Sequence, residues 1–350
     1  MTTAYLNRIA TAVPRHDVHA LFEDHVRGAL AAEPRKARVF ERMAERSGIA
    51  HRYSCLSTDD LSAGGFYAPG AFPDTAQRMR AFERDAPALA CKAVERLLDA
   101  RERRRITHIL TTCCTGFSAP GLDHEVIEQC GLPRGVERTM IGFMGCYAAI
   151  NALRLARHIV RSEPDARVLV LSLELCTLHM QDTTDLEQML SFLIFADGCA
   201  AALVSADEDG LALDGFRTLL MPDTRDLITW NIRGFGFDMV LSGRVPNAIQ
   251  DGLHAHAGDI VNGAGARAID TWAVHPGGRT VLDAVERALD LDGEALSASR
   301  SVLRQYGNMS SATVMFVLEK LMCAKLRGAR GCAMSFGPGL AAEIMAFRSA

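Results

Sequence analysis

The sequence predicts an α/β fold built from two similar halves. Short apolar runs that end in small polar residues alternate with longer helical patterns, which is typical of parallel α/β layers. Two such runs cover residues 106–116 and 268–275, and residues 145–160 and 307–318 both lead from a glycine into an apolar helix. This repeated order predicts a duplicated βαβαβ unit, with one half over residues 1–215 and the other over residues 216–350.

Each element follows from a local pattern. Aliphatic runs predict strands over residues 4–13, 106–116, 166–175, 268–275 and 331–337, and residues 191–204 supply a turn and then a strand of small residues. Helical patterns cover residues 78–98, 146–160 and 309–318, and a basic helical region ends near residue 49. We expect the functional site where the two glycine-led helix starts converge.

Composition excludes several classes of function. The 350 residues are 49% hydrophobic, with 38 basic against 42 acidic residues and no long run of one sign, so no nucleic-acid partner is predicted. The sequence starts without a signal-peptide pattern, and no apolar run reaches about 18 residues, so no membrane span is expected. Ten irregularly spaced cysteines without a C-x-x-C pair favour a reducing cytoplasm.

Cys146 is the first candidate for chemistry. It follows Gly145 and opens a run of small and aliphatic helix formers, which places it at a helix N-terminus. Backbone N–H groups at such a position lower the pKa of a thiol and favour the nucleophilic thiolate. Taken alone, however, a cysteine in apolar surroundings is more often a small core residue.

Two further residues change that balance. His275 ends a strand and is followed by Pro276-Gly277-Gly278, and Asn308 follows Gly307 at the second helix start. A histidine beside a cysteine stabilises a thiolate, and histidine and amide N–H groups together form an oxyanion hole. Because asparagine cannot act as a base, the set suits a reaction that forms an enolate without proton abstraction, such as decarboxylation of a malonyl thioester. A papain-like protease also uses Cys, His and Asn, but its signature around the cysteine is absent here.

At these residues the chain resembles the type III polyketide synthases, of the chalcone synthase and bacterial alkylpyrone or alkylresorcinol synthase kind. The resemblance spans nearly the whole chain. It depends on Gly145-Cys146-Tyr147-Ala148-Ala149, His275-Pro276-Gly277-Gly278, Gly307-Asn308-Met309-Ser310-Ser311-Ala312-Thr313 and Phe336-Gly337-Pro338-Gly339-Leu340.

The resemblance implies a thiolase fold with five α-β-α-β-α layers, a homodimer, and direct use of acyl-CoA and malonyl-CoA without a cofactor or a metal. Cys146 would carry the starter acyl group, and His275 would hold it as a thiolate. His275 and Asn308 would stabilise the malonyl-derived enolate. Iterative condensation and cyclisation would give an alkylpyrone or an alkylresorcinol-type product.

Other residues are assigned by the same resemblance. Phe195 matches one gatekeeper phenylalanine, and Met239 stands at the second. The remaining cavity positions are Cys114, Cys176, His179, Trp230 and Ser310, and several depart from the plant pattern. Together with Ala119, which replaces a methionine that reaches toward the partner subunit, they favour a fatty acyl starter over a coumaroyl-type one.

For CoA binding, the resemblance implies Arg42 and Arg46 as phosphate ligands, whereas the remaining lysine position is Val39 in this chain. Two alternatives stay open. A ketoacyl-acyl-carrier-protein synthase III shares the fold and the three residues but makes a single condensation. A thiolase-fold protein retained only for binding or assembly would not need an intact Cys-His-Asn set.

Overall fold

The computed structural model describes residues 2–60, 64–68, 70–260, 265–324 and 328–350. Its strands are β1 (Tyr5–Ala12), β2 (His16–Asp17), β3 (Tyr53–Ser54), β4 (His108–Cys113), β5 (Glu137–Gly142), β6 (Val168–Leu175), β7 (Asp197–Ser205), β8 (Leu211–Leu220), β9 (Ile228–Arg233), β10 (Gly236–Leu241), β11 (Thr271–Val274), β12 (Arg330–Gly337) and β13 (Ala341–Ser349).

The helices alternate with these strands. They are α1 (His19–Ala29), α2 (Pro34–Arg46), α3 (Thr75–Leu97), α4 (Ala100–Arg103), α5 (Leu122–Cys130), α6 (Ala148–Ser162), α7 (Leu186–Ile194), α8 (Val245–Ala255), α9 (Ala257–Ile260), α10 (Arg279–Leu289), α11 (Ser297–Tyr306) and α12 (Thr313–Cys323). Within the described residues, no helix is both long enough and apolar enough to cross a membrane.

The duplicated α/β pattern is confirmed by the order of the strands. The first half contributes β1-β7-β6-β4-β5, and the second contributes β8-β13-β12-β11 in the matching order. In each of these orders the first three strands pair antiparallel with one another. The remaining strands, β4 and β5 in the first half and β11 in the second, pair parallel with their neighbours. The second half has no counterpart of β5 among the residues that the structure describes.

The two half-sheets join through β1 and β8, at the pairs Tyr5↔Ala212 and Leu6↔Leu211. Helices α6 and α12 pack between the half-sheets and share one buried core with both. On the outer side of the first half, α3 covers β1, β6 and β7, and on the second half α8 and α10 form the outer layer. The predicted boundary between residues 215 and 216 falls within β8 and stays a prediction.

The middle helices bury their apolar side chains between the half-sheets, while α6 keeps a polar stripe that includes the exposed His158. Ile150 and Leu153 of α6 and Val314 and Val317 of α12 are completely buried. Cys146 lies in a 3₁₀ turn, Gly145–Tyr147, just before α6, and a similar turn, Ser310–Ala312, precedes α12. The structure therefore brings the two helix starts to the centre of the molecule, as the sequence predicts.

Candidate active site

Cys146 is presented by a tight turn after β5. The turn is fixed by the Phe143 N–H, which donates to the Cys113 carbonyl at 3.1 Å, and by the Gly145 N–H, which donates to Cys114 Sγ at 3.0 Å. Gly145 has a φ of +77°, and a Cβ there would lie 2.2 Å from Pro338 Cδ. Only glycine permits this close approach of the two halves next to Cys146.

The Cys146 thiol is neutral in this setting. Burial raises its pKa to about 12, although Ser310 and the Asn308 side chain offset part of that rise. Its Sγ lies 3.5 Å from Ser310 Oγ. The dipole of the helix N-terminus is therefore outweighed by loss of water around the thiolate.

His275 follows β11 and is almost completely buried, at 1% exposure. Its backbone N–H donates to the Met334 carbonyl at 2.8 Å, which fixes the turn that follows the strand. Neither ring nitrogen has a hydrogen-bond partner among the described residues. Burial lowers the pKa of His275 to about 3, so the ring is neutral at pH 7. The predicted thiolate–imidazolium pair with Cys146 is therefore not formed in this structure.

Asn308 is oriented by contacts on both ends of its amide. Its Oδ1 accepts from the Ser310 N–H at 2.9 Å and from Thr313 Oγ1 at 3.4 Å. Its Nδ2 faces the turn after His275, with a long 3.4 Å contact to the Gly277 carbonyl. The amide nitrogen thus keeps most of its donor capacity for another acceptor.

A cavity of about 30 Å³ lies beside Cys146. It brings together six predicted cavity residues, namely Cys114, Cys176, Phe195, Trp230, Met239 and Ser310. Sequence reasoning missed the other side chains that close it, which include Phe192, Ile228 and Pro338. Because these residues lie in separate elements, no local pattern marks them as neighbours.

His179 is the exception among the predicted cavity residues, since it lies behind the wall. Its ring stacks on Phe237 at 4.1 Å and meets the Trp230 ring edge-on at 5.4 Å. The Phe237 N–H donates to His179 Nδ1 at 3.1 Å, so Nε2 carries the proton and donates to the Thr115 carbonyl at 2.7 Å. Trp230 Nε1 in turn donates to the Cys114 carbonyl at 2.7 Å, which locks the indole in place.

A buried carboxyl group, Glu174, supports the wall from β6. It accepts from Ser311 Oγ at 2.6 Å, from the Cys114 N–H at 2.9 Å and from Thr115 Oγ1 at 2.9 Å. Burial raises its pKa to about 7. Its signal in the sequence is a single acid within an otherwise apolar strand, and that signal alone predicts no role.

A wider pocket of about 610 Å³ opens outside this cavity, against α7, α10 and the Gly277-Gly278 turn. Ile194 lines the wide pocket and the next residue, Phe195, lines the inner cavity, so Phe195 stands between them. Of the two predicted phosphate ligands, Arg46 lines this pocket and Arg42 does not. Arg279 also lines it and was missed, although it directly follows His275-Pro276-Gly277-Gly278.

Comparison with known proteins identifies the family. The model of the chalcone and stilbene synthase N-terminal domain matches residues 2–208, and that of the C-terminal domain matches residues 215–350. The chain therefore belongs to the chalcone and stilbene synthase family. It is a type III polyketide synthase, an acyltransferase of the class that acts on CoA thioesters. The ketoacyl-acyl-carrier-protein synthase III alternative is not favoured, because both halves match the same polyketide synthase family.

Individual relatives agree with this assignment. The chain is 30% identical to the alpha-pyrone synthesis polyketide synthase-like Pks18 of Mycobacterium tuberculosis, over 99% of this chain and 91% of that one. It is 32% identical to the bisdemethoxycurcumin synthase of Oryza sativa subsp. japonica, over 87% and 82% respectively.

Solved structures show the same fold. PKS-I from the brown alga Ectocarpus siliculosus superposes with a TM-score of 0.89 at 30% identity, covering 100% of this chain and 99% of that one. The C-terminal type III polyketide synthase domain of Steely1 from Dictyostelium gives 0.89 at 25% identity, covering 99% of each chain.

Proposed function

We propose that the chain extends an aliphatic acyl-CoA starter with malonyl-CoA units and releases an α-pyrone. Cys146 carries the growing chain, and His275 and Asn308 bind the oxygen of the malonyl thioester. One observation carries this assignment. His275 is buried and neutral, with no partner at either ring nitrogen, and the Asn308 amide nitrogen faces the Gly277 carbonyl in the turn that follows His275. Buried polar groups are rarely left unpaired without a ligand to receive them.

These two donors suit decarboxylation. When the bond between the carboxylate carbon and the malonyl α-carbon breaks, CO₂ leaves and its electron pair becomes an enolate. Hydrogen bonds from the His275 N–H and Asn308 Nδ2 then stabilise the developing negative charge on the thioester oxygen. The carbanion attacks the acyl thioester on Cys146, which breaks the C–S bond and lengthens the chain by two carbons. Loss of CO₂ supplies the carbanion, so this chemistry requires no further cofactor.

Loading of the starter requires the Cys146 proton to leave. A thiol with a pKa near 12 is a poor nucleophile at pH 7. The pKa of about 3 for His275 opposes transfer of this proton to its ring before the acyl-CoA binds. The proton therefore passes through the His275 ring to the departing CoA thiolate only as the acyl–Cys146 bond forms and the C–S bond to CoA breaks. This role replaces the preformed ion pair that the resemblance implied.

The inner cavity supports an aliphatic starter and limits its length. Its walls are apolar side chains together with thiols and the Ser310 hydroxyl, and its volume of about 30 Å³ holds roughly two water molecules. A long fatty acyl chain therefore requires Trp230 or a neighbouring side chain to move. The name of the mycobacterial relative supports lactone closure to an α-pyrone over aldol closure to a resorcinol.

The surroundings of the site support the remaining expectations. Arg46 and Arg279 line the wide pocket and supply cations for the CoA phosphates. Met140 on the edge strand β5 and Met144 in the turn after it are about 40% exposed, and exposed methionines beside an unpaired strand edge support a homodimer. All ten cysteines are free, which supports a cytoplasmic location.

Product analysis tests the proposal. Purified protein is mixed with labelled malonyl-CoA and short aliphatic, long aliphatic or aromatic acyl-CoA starters, and the products are identified by mass spectrometry. We expect α-pyrones from short aliphatic starters, and Trp230→Gly should extend the accepted chain length. Resorcinols would overturn lactone closure, and an unchanged starter range in Trp230→Gly would overturn the role of the indole. A single ketoacyl product formed only from a malonyl-acyl-carrier protein would overturn the proposed function.

A further inference from the structure

Arg52 is a buried cation next to the candidate site, although its sequence neighbours form a basic surface. It follows the arginine-rich α2 and would be grouped with Arg42 and Arg46 by sequence alone. In the structure it is only 2% exposed, whereas Arg42 and Arg46 lie on the surface. A buried guanidinium requires a structural reason, because the removal of its charge from water is unfavourable.

The reason lies at the C-terminal end of α7. Arg52 donates from one terminal nitrogen to two main-chain carbonyls, that of Phe192 at 2.8 Å and that of Phe195 at 2.7 Å. Its Nε donates to His19 Nδ1 at 3.0 Å, and its guanidinium lies 4.6 Å from the centre of the Phe22 ring. The partial negative charge at a helix C-terminus favours a cation at this point.

The same segment also holds Asn308 from the opposite side. The Asn308 N–H donates to the Ile194 carbonyl at 2.8 Å, and its own carbonyl accepts from the Ala196 N–H at 2.9 Å. The carbonyls of Phe192 and Phe195 thus accept from Arg52, while the Ile194 carbonyl and the Ala196 N–H bind the backbone of Asn308.

Gly307 completes this junction. Its φ is +68°, and a Cβ on it would lie 2.8 Å from both Arg52 Cγ and the Ile194 carbonyl oxygen. The aliphatic part of Arg52 therefore packs directly against the backbone that leads into Asn308.

Arg52 has no carboxylate partner at bonding distance among the described ion pairs. Burial lowers its pKa to about 10, so it remains charged at pH 7, while the pKa of His19 falls to about 4 and leaves that ring a neutral acceptor. The guanidinium charge therefore faces the main-chain carbonyls of Phe192 and Phe195. Substitution of Arg52 should mainly change the position of residues 192–196.

We propose that Arg52 is a positioning residue for the condensation reaction, which holds the Asn308 amide and the Phe195 gatekeeper in register with Cys146. This inference rests on the proposed function of Asn308. Lysine at position 52 would keep the charge but lose the planar, multi-donor geometry that spans two carbonyls. Methionine would keep the aliphatic packing against Gly307 and lose every hydrogen bond.

The test separates two half-reactions. Malonyl-CoA decarboxylation to acetyl-CoA depends on Asn308, whereas acylation of Cys146, measured by intact mass, does not. For Arg52→Lys and Arg52→Met we expect decarboxylation per folded molecule to fall at least 20-fold, with acylation within about threefold of the wild type. Arg157→Lys is the control, since Arg157 on α6 also donates to two main-chain carbonyls, those of Leu213 and Asp214 in β8. It should leave both half-reactions unchanged.

A double variant sharpens the result. If Arg52 acts through Asn308, Arg52→Lys added to Asn308→Ala should reduce decarboxylation by less than threefold beyond Asn308→Ala alone. A full, multiplicative loss would overturn the inference, as would a proportional fall of both half-reactions in the single variants. Should Arg52→Met not fold, Arg52→Lys alone decides between these results.

If Asn308→Ala itself decarboxylates normally, the proposed function fails. If it is inactive while both Arg52 variants decarboxylate normally, only the positioning role fails.

Discussion

The two helix starts that meet at the site are held in different ways. Cys146 follows β5, whose residues Glu137–Gly142 pair in register with His108–Cys113 of β4. Asn308 follows no strand among the described residues and has a single bridge to Phe195. The duplicated fold thus places Cys146, the proposed nucleophile, directly after a regular strand ladder, while Asn308, the proposed oxyanion donor, depends on a few specific contacts. Single side chains such as Arg52 therefore matter more in the second half.

The largest difference should appear when the donors themselves are removed. His275→Ala removes one buried donor to the enolate oxygen, so we expect malonyl-CoA decarboxylation to fall by about 10²–10³. Because the proposed path of the Cys146 proton runs through His275, starter loading should fall too, unlike in Asn308→Ala. Release of labelled CO₂ and intact mass of the acyl-enzyme measure the two steps. Normal loading in His275→Ala would contradict the proton transfer.

The two glycines before the helix starts provide a second, smaller comparison. Gly145→Ala would place a Cβ 2.2 Å from the rigid Pro338 ring, and Gly307→Ala one 2.8 Å from Arg52 Cγ. Positive φ adds a conformational penalty in both, so we expect the free energy of unfolding to fall by about 3 kcal/mol for Gly145→Ala and about 2 kcal/mol for Gly307→Ala. Urea denaturation of both proteins measures this order. A larger loss for Gly307→Ala would reverse our ranking of the two contacts.

The smallest expected effect concerns the reactivity of the Cys146 thiol at the first helix start. With the Cys146 pKa raised to about 12, the thiolate fraction should rise about tenfold per pH unit from pH 7 to pH 10. The rate of iodoacetamide alkylation should follow it without a plateau, and peptide mapping against Cys146→Ala assigns the modified site. A rate that is already constant above pH 6 would mean that the His275 ion pair exists before substrate binds.

Much of the fold and of the site could be predicted from the sequence, because the strand and helix order and the helix starts follow from local sequence patterns. The strand and helix periods gave the duplicated α/β order, and the motifs around Cys146, His275 and Asn308 located the helix starts. The buried face of α6 follows from its amphipathic pattern, and that of α12 follows from the apolar run over residues 314–318.

The rest depends on long-range packing. Nothing local distinguishes buried Arg52 from exposed Arg42, and His179 is hidden behind Trp230 only because β9 and β10 pair over it. The lack of a β5 counterpart among the described residues of the second half could not be predicted either, since residues 306–318 match the first helix start well without showing what precedes it. The neutral state of Cys146 and His275 follows from desolvation, which is a property of the assembled core.

The most direct test of the central claim measures decarboxylation and chain extension side by side in Cys146→Ala and Asn308→Ala. We predict that Cys146→Ala still converts malonyl-CoA to acetyl-CoA but builds no polyketide, whereas Asn308→Ala is acylated on Cys146 but decarboxylates at least 100-fold more slowly. If Cys146→Ala still forms full-length polyketide, or Asn308→Ala decarboxylates at the wild-type rate, the division of roles between the two helix starts is wrong.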